Sequence, residues 1–215
     1  ITDGGGGVFA RSYDSVGNLV ETIRPDGSRE LRSYDSRDRI EVLEQIGSDG
    51  TTIARYQYAY HSDGNLALVT EASGRSVAYE HDANDRLIRE TVSDGPTADR
   101  TIEYEYDVVG NRIRKTDSID GVTDYSYDAN DWLVEERRGA DVITYSYDAN
   151  GNQLTRASDS EVILFTWSSE NRLVAVSSTS GSAASYEYDP DGALQGIRSG
   201  GEETRYLRDM NRAVH

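Results

Sequence analysis

The feature of this chain that most restricts its fold is a short phrase that recurs from one end to the other. The phrase starts with an aromatic residue, continues with Asp, two variable residues, Gly or Asp, and Asn or Arg, and closes on Leu or Ile. Its spacing averages about 21 residues, which is enough for two short strands and two turns and too little to add a helix. The aromatic anchors are Tyr13, Tyr34, Tyr60, His81, Tyr106, Tyr127, Tyr147, Trp167, Tyr188 and a degenerate Tyr206.

The residues on either side of each anchor favour a β-hairpin. Before the anchor, apolar and polar residues alternate, as at Ile102, Tyr104 and Tyr106, and a period of two predicts a strand with one buried face. After the anchor, Asp accepts hydrogen bonds from the downstream backbone and Gly or Asn tolerates positive φ, so the phrase predicts a turn. A second strand follows the turn, as at residues 87–91 after His81. It ends in another turn, as residues 25–27 do in the hairpin of Tyr13.

These hairpins predict an all-β fold. A single hairpin cannot bury its apolar face, so tandem hairpins are expected to join into one long antiparallel sheet. A sheet of this many strands does not stay flat, so we expect it to curve, with Tyr on the inner face and acidic residues outside. Residues 1–10 are interpreted as a Gly-rich leader and residues 11–215 as the repeat domain, with its last copy degenerate.

The recurring Tyr-Asp pair is interpreted as structural. A residue present in every unit serves a need that every unit has, whereas catalysis needs one unsymmetrical constellation of groups. The sequence therefore predicts no catalytic, cofactor or metal site. The repeat-defining residues are Tyr13, Asp14, Tyr34, Asp35, Tyr60, Asp82, Tyr106, Asp107, Tyr127, Asp128, Tyr147, Asp148, Trp167, Tyr188 and Asp189.

Two alternatives involving metal ions compete with a structural role. Residues 117–121 and 189–192 place Asp beside Gly, as calcium loops do, but neither matches an EF-hand, and Asp is common in ordinary turns. His61 stands where other copies have Asp, and His81 where they have Tyr. Because these two positions are not equivalent, simple substitution is the favoured interpretation over a ligand pair.

Charge and composition exclude several functions. The formal net charge is −17, which argues against a nucleic-acid partner because phosphate contacts need a basic surface. No apolar run of about 18 residues is present, so no membrane insertion is expected. The chain has no Cys, which excludes disulfides, thiolate nucleophiles and Cys-ligated metals.

From Arg11 to about Met210, the repeated phrase resembles the YD-repeat, or Rhs-repeat, family. The family includes bacterial Rhs proteins, the B and C components of toxin complexes, and the teneurins. The resemblance implies a β-strip that winds into a spiralling hollow shell within a long secreted or cell-surface chain. In toxin members, the shell encloses a C-terminal effector, which the shell protein cuts free.

Differences between this sequence and the family pattern limit which of the family's functions the resemblance implies. The Arg-Tyr-Tyr-Asp-Pro-rich segment with the self-cleavage aspartates has no counterpart here, and Asp189-Pro190 is interpreted as an ordinary turn. The resemblance therefore implies a non-catalytic segment of shell wall from a secreted or surface-exposed bacterial protein. Its expected partners are the remainder of its own longer chain or an enclosed effector.

A binding module for adhesion is the alternative function, with a glycan or a protein as its partner. The open ends of the sheet would accept a partner strand. Trp132 lies in a turn where other copies have Arg or Asn, so it is expected to be exposed and is the candidate ligand contact.

Overall fold

The computed structural model describes residues 8–95 and 98–206. These residues contain nineteen β-strands and no helix, and every described pairing between strands is antiparallel. The prediction of an all-β fold made of tandem antiparallel hairpins is confirmed. Within the described residues, no helix is long and apolar enough to cross a membrane.

The chain divides into two compact units. Unit 1 comprises residues 1–105 and 116–121, and unit 2 comprises residues 106–115 and 122–215. The first nine strands are β1 (Ala10–Tyr13), β2 (Leu19–Ile23), β3 (Arg29–Tyr34), β4 (Ile40–Ile46), β5 (Thr52–Tyr60), β6 (Leu66–Glu71), β7 (Ser76–His81), β8 (Leu87–Ser93) and β9 (Arg100–Tyr106).

The remaining strands follow the same plan of alternating strand and turn. They are β10 (Arg112–Asp117), β11 (Gly121–Tyr127), β12 (Leu133–Arg138), β13 (Asp141–Tyr147), β14 (Gln153–Ala157), β15 (Val162–Trp167), β16 (Leu173–Ser178), β17 (Ala183–Tyr188), β18 (Leu194–Ser199) and β19 (Glu202–Arg205).

Each hairpin is named below by its anchor, which is the last residue of its first strand. In unit 1 the Tyr34 hairpin pairs β3 with β4, and Arg32 lies opposite Leu43. The register shifts immediately before the anchor, at Ser33/Tyr34, and the same shift occurs at Ala59/Tyr60. Such a β-bulge is expected where a turn contains a residue of positive φ, because the extra twist lets the strands leave the turn in register.

Few side chains of the sheet are fully shielded from solvent. Val77, at 8% exposure, is the one apolar side chain classed as buried among the described residues, together with polar Asp117 and Thr123. Most other strand residues are half-buried, as Leu19–Ile23 are throughout. A single sheet layer explains this, since its side chains are covered only by their lateral neighbours.

The expected separation of Tyr and acidic residues between the two faces is wrong in part. Tyr79 lies opposite Glu90, and residues directly opposite each other share a face of the sheet. The hydroxyl of Tyr104 donates to Oε1 of Glu90 at 2.6 Å, so carboxylates lie on the Tyr face and accept hydrogen bonds from it.

Residues 1–7 of the expected leader and nearly all of the degenerate tenth copy lie outside the described residues. The division into leader and repeat domain therefore stays a prediction, as does the curvature of the sheet.

Candidate functional site

The turn after most anchors is organised by the carboxylate of the Asp that follows the anchor, whereas His61 and Ser168 occupy that position after Tyr60 and Trp167. Oδ1 of Asp14 accepts the backbone N–H groups of Val16, Gly17 and Asn18 at 3.0, 2.8 and 2.8 Å. The side-chain amide of Asn18 donates to Oδ2 of the same carboxylate at 3.1 Å. Asp107 makes the same set of bonds in unit 2. One carboxylate thus accepts three backbone N–H groups of the turn, and the N–H of Gly17 also donates to the backbone carbonyl of Asp14 at 3.3 Å.

Where Arg follows the turn, its guanidinium donates a hydrogen bond to the second oxygen of the same carboxylate. Nε of Arg39 donates to Oδ2 of Asp35 at 2.8 Å, and Arg86 bonds to Asp82 in the same way at 2.7 Å. The Arg39 guanidinium, aided by backbone N–H groups, lowers the pKa of Asp35 to about 2. Asp35 is therefore ionised throughout the physiological range and remains an acceptor.

In six hairpins, the side chain of the anchor forms a hydrogen bond with the hairpin before it. Burial raises the pKa of Tyr60, so its hydroxyl stays protonated and donates to the backbone carbonyl of Ile40 at 2.8 Å. The same bond, from the anchor to a carbonyl of the preceding hairpin, is made by Tyr34 to Leu19, Tyr127 to Arg112, Tyr147 to Leu133, Tyr188 to Leu173, and by Nε1 of Trp167 to Gln153.

Sequence reasoning assigned the anchors to packing and missed this bond. A signal was available, because neither of the two Phe residues stands at an anchor, although Phe packs as well as Tyr. Trp167 replaces Tyr and supplies an N–H in place of the hydroxyl. The anchor is thus selected for a ring that carries a donor.

The Tyr60 and His81 hairpins lack parts of this arrangement. Nε2 of His61 lies 2.9 Å from the carbonyl oxygen of Tyr79, and the rings of His61 and His81 meet edge to face with centroids 6.2 Å apart. Nδ1 of His81 is buried without a hydrogen-bond partner. Across residues 8–95 and 98–206, no three His, Cys, Asp or Glu side chains converge as metal ligands would.

The two loops considered for calcium are organised by donors from the protein. The side chain of Asp117 is 1% exposed and is paired with the guanidinium of Arg100, while its Oδ1 accepts the N–H of Ile119 at 3.0 Å. Oδ1 of Asp189 accepts the N–H of Ala193 at 2.8 Å. Both carboxylates serve as turn acceptors, as the structural interpretation expects.

Trp132 is half-buried, so the expectation that it is exposed is wrong. Its ring packs on Tyr147, the anchor of the next hairpin, with centroids 5.4 Å apart, and lies over Gly151. Arg39 occupies the same place over Tyr60, with its guanidinium carbon 4.2 Å from the ring centroid. A large side chain at this position of the turn therefore packs on the anchor ring of the following hairpin. Contact of Trp132 with a ligand stays a prediction.

A shallow groove of about 820 Å³ lies along β16, β17 and β18 in unit 2. It is formed by Ala, Ser, Gly and Val side chains, and Arg198 is its one charged lining residue. This lining has none of the acid, base or nucleophile pairs that catalysis requires.

Comparison with known proteins agrees with this architecture. Residues 60–97 and 106–141 match the family model of the RHS Repeat. The crystal structures of TcdB2-TccC3-TEV and TcdB2-TccC3 superpose with a TM-score of 0.62 at 16% identity, covering 90% and 91% of this chain. The Photorhabdus luminescens Tc holotoxin pore superposes with a TM-score of 0.52 at 14% identity over 92% of it.

The chain spans only 11, 12 and 15% of the chains in these three structures. At this level of identity, the superpositions establish a shared fold. No curated protein matches the sequence. The two matches identify residues 60–97 and 106–141 as YD-repeat, or Rhs-repeat, sequence, and the chain as a whole shares its fold with these structures.

Proposed function

We propose that this chain is a non-catalytic structural segment of the wall of a secreted or cell-surface Rhs-type shell, which encloses a polypeptide cargo. The repeated joint between hairpins is the observation that carries the proposal. Anchor hydroxyls bond to the preceding hairpin in both units, as Tyr60 does to Ile40 and Tyr147 to Leu133. This arrangement propagates a sheet and concentrates no chemistry at any one place.

The sparse core supports an enclosing role. The Tyr face is half-buried although it carries large aromatic area, and Val77 alone reaches the buried class among the apolar side chains described. Aromatic and apolar surface that is exposed on a sheet is typical of a site that another polypeptide covers. The cargo inferred for this chain is the C-terminal effector that toxin members of the family enclose.

The natural full-length parent of this segment provides the test. On a denaturing gel, we expect the parent to separate into the repeats and a downstream polypeptide, which stay together under native conditions and resist added protease. A variant with Tyr147→Phe and Tyr188→Phe, which removes two joint hydrogen bonds, should expose the downstream polypeptide to the protease. Tyr206→Phe, at an exposed residue, serves as the control.

Equal digestion of the downstream polypeptide in the unmodified parent and in the joint variant would overturn enclosure. A parent that remains one unprotected chain and binds an immobilised glycan or receptor with saturable affinity would instead support the adhesion module.

A further inference from the structure

Two of the three histidines of this chain lie at one joint, between the Tyr60 and His81 hairpins. His61 stands at the turn position that most other hairpins give to Asp, and His81 stands at the anchor position. Their rings meet edge to face with centroids 6.2 Å apart. Both residues that define the repeat are therefore replaced by titratable rings at the same joint, and the two rings are in contact.

The hydrogen bonds of the pair determine where a further proton would bind. Nε2 of His61 lies 2.9 Å from the carbonyl oxygen of Tyr79. Because a carbonyl oxygen only accepts, this nitrogen carries the ring hydrogen, and a further proton would bind to Nδ1. Nδ1 of His81 is buried without a hydrogen-bond partner. A neutral ring can keep a lone pair there, whereas an imidazolium must place an N–H where nothing accepts it.

The carboxylates around the pair are engaged with other groups. None of those in the two turns or in β6 to β8 forms an ion pair with either imidazole. They are Asp63 with the N–H of Asn65, Asp85 with the Asn65 amide, Asp82 with Arg86, Glu71 with Arg75, Glu80 with Arg89 and Glu90 with Tyr104.

Two cations approach the turn that contains His61. Nη1 of Arg37 donates to the carbonyl oxygen of Ser62 at 2.8 Å. The guanidinium of Arg39 lies over the ring of Tyr60, with its carbon 4.2 Å from the centroid. Positive charge on the two imidazoles would thus be added beside existing positive charge. Three neighbouring hydroxyls stay neutral because burial raises the pKa of each, namely those of Tyr58, Tyr60 and Tyr79.

These contacts make the joint weaker in acid. In the opened or unfolded chain both imidazoles lie in water, where each takes up a proton at about pH 6.5. In the closed joint, the same two protons place two cations with centroids 6.2 Å apart and bury an unaccepted N–H on His81. The opened state therefore binds more protons below about pH 6.5, so the closed joint is most stable above that pH and loses stability as the pH falls through it.

We propose that His61 and His81 form an acid-sensitive joint, at which protonation of both rings loosens the contact between their hairpins and opens the wall. Its role in releasing an enclosed polypeptide rests on the proposed function. The joint made by Tyr147 has no such response, because burial raises the pKa of its hydroxyl, which remains a donor to the carbonyl of Leu133.

Hydrogen exchange at pH 7.5 and pH 5.5, at constant ionic strength and with a chelator present, provides the test. After division by the intrinsic exchange rates, the amides of β7 should lose about tenfold of their protection at the lower pH. The amides of β13, which ends at Tyr147, are the internal reference and should keep theirs. Equal changes in β7 and β13 would overturn the proposal, as would unchanged protection in β7.

Substitutions identify the groups responsible. His81→Phe keeps a ring at the anchor without a titratable nitrogen and should abolish the pH dependence of exchange in β7. His61→Gln keeps an N–H donor for the Tyr79 carbonyl, removes one of the two cations and should reduce that dependence. His215→Gln, at the third histidine, is the control and should leave it unchanged. A pH dependence equal to that of the wild type in His81→Phe would contradict the assignment.

The full-length parent separates this inference from the proposed function. With a protease active at both pH values, the downstream polypeptide should be protected at pH 7.5 and digested at pH 5.5, but it should stay protected at both in the His81→Phe parent. Protection of the unmodified parent at pH 5.5 would overturn release through this joint. A parent that protects nothing at pH 7.5 would contradict enclosure, whereas hydrogen exchange in this chain would still decide whether the joint responds to acid.

Discussion

The joint between the Tyr34 and Tyr60 hairpins differs from the joint between the Tyr60 and His81 hairpins. At the first, the hydroxyl of Tyr60 bonds to Ile40, Asp35 holds the turn, and Arg39 stacks on Tyr60. At the second, His81 replaces the anchor, and its Nδ1 is buried without a partner. The repeat thus tolerates loss of the anchor donor at one joint, because backbone pairing of β6 with β7 persists.

The comparison separates what sheet pairing supplies from what the Tyr-Asp pair adds. Strand pairing is present at both joints, so it is sufficient to continue the sheet. The hydroxyl bond and the carboxylate turn add stability and fix the angle at which one hairpin follows another. Four substitutions test this contrast, in order of decreasing effect on stability.

Asp35→Ala should give the largest loss, because the carboxylate accepts from the backbone of Arg37 and Arg39 and from the Arg39 guanidinium. The pKa of Asp35 lies at about 2 against an ordinary 3.8, so its stabilisation is complete above pH 3.8 and lost as the pH falls through about 2. The difference in urea unfolding between the wild type and the variant should therefore be largest near neutrality and should disappear only below about pH 2.

His61→Ala is the matched control, since His61 occupies the Asp position of the next hairpin without accepting these bonds. Because the His61 ring also contacts the Tyr79 carbonyl and His81, the deciding feature is pH: a loss in Asp35→Ala that stays the same from neutrality to below pH 2 would show that the carboxylate is not what stabilises the turn.

Tyr60→Phe should lower the free energy of unfolding by about 1 kcal/mol, because the carbonyl of Ile40 loses its side-chain donor. Tyr13→Phe, at an exposed anchor, should be nearly neutral in the same urea titration. Indistinguishable midpoints for the two variants would assign the anchors to packing alone.

His81→Tyr should restore the missing donor and raise the free energy of unfolding by about 0.5 kcal/mol, with part of the gain offset by repacking against His61. The measurement is again the urea midpoint. A loss of stability would mean that the two imidazoles are adapted to each other and that their joint is not simply a weakened copy.

Trp132→Arg should change stability least, by under about 0.5 kcal/mol, because Arg39 and Arg172 fill the same place over an anchor ring. Trp132→Ala, which removes the packing on Tyr147, is the contrasting variant and should lower the urea midpoint. If Trp132→Arg abolished binding to a glycan while stability held, a ligand role for Trp132 would gain direct support.

Local patterns in the sequence are enough to predict the elements of this fold. The repeat spacing, the alternation of apolar and polar residues and the turn residues can all be recognised within short stretches of sequence. They identify the anchors and the Asp residues that hold the turns, as Asp14 does by accepting the N–H groups of Val16 to Asn18. The all-β hairpin architecture follows, because units of this length have no other way to bury a face.

The way in which the hairpins meet could be learned only from the three-dimensional structure. The bond from Tyr60 to Ile40, the packing of Trp132 on Tyr147 and the placement of Glu90 on the Tyr face join residues of neighbouring strands or hairpins. Such contacts depend on strand register, and a shift of one residue moves every side chain to the opposite face. The bulge beside anchors such as Tyr34 and Tyr60 sets that register, and the extra residue it inserts displaces the simple two-residue alternation expected from the sequence.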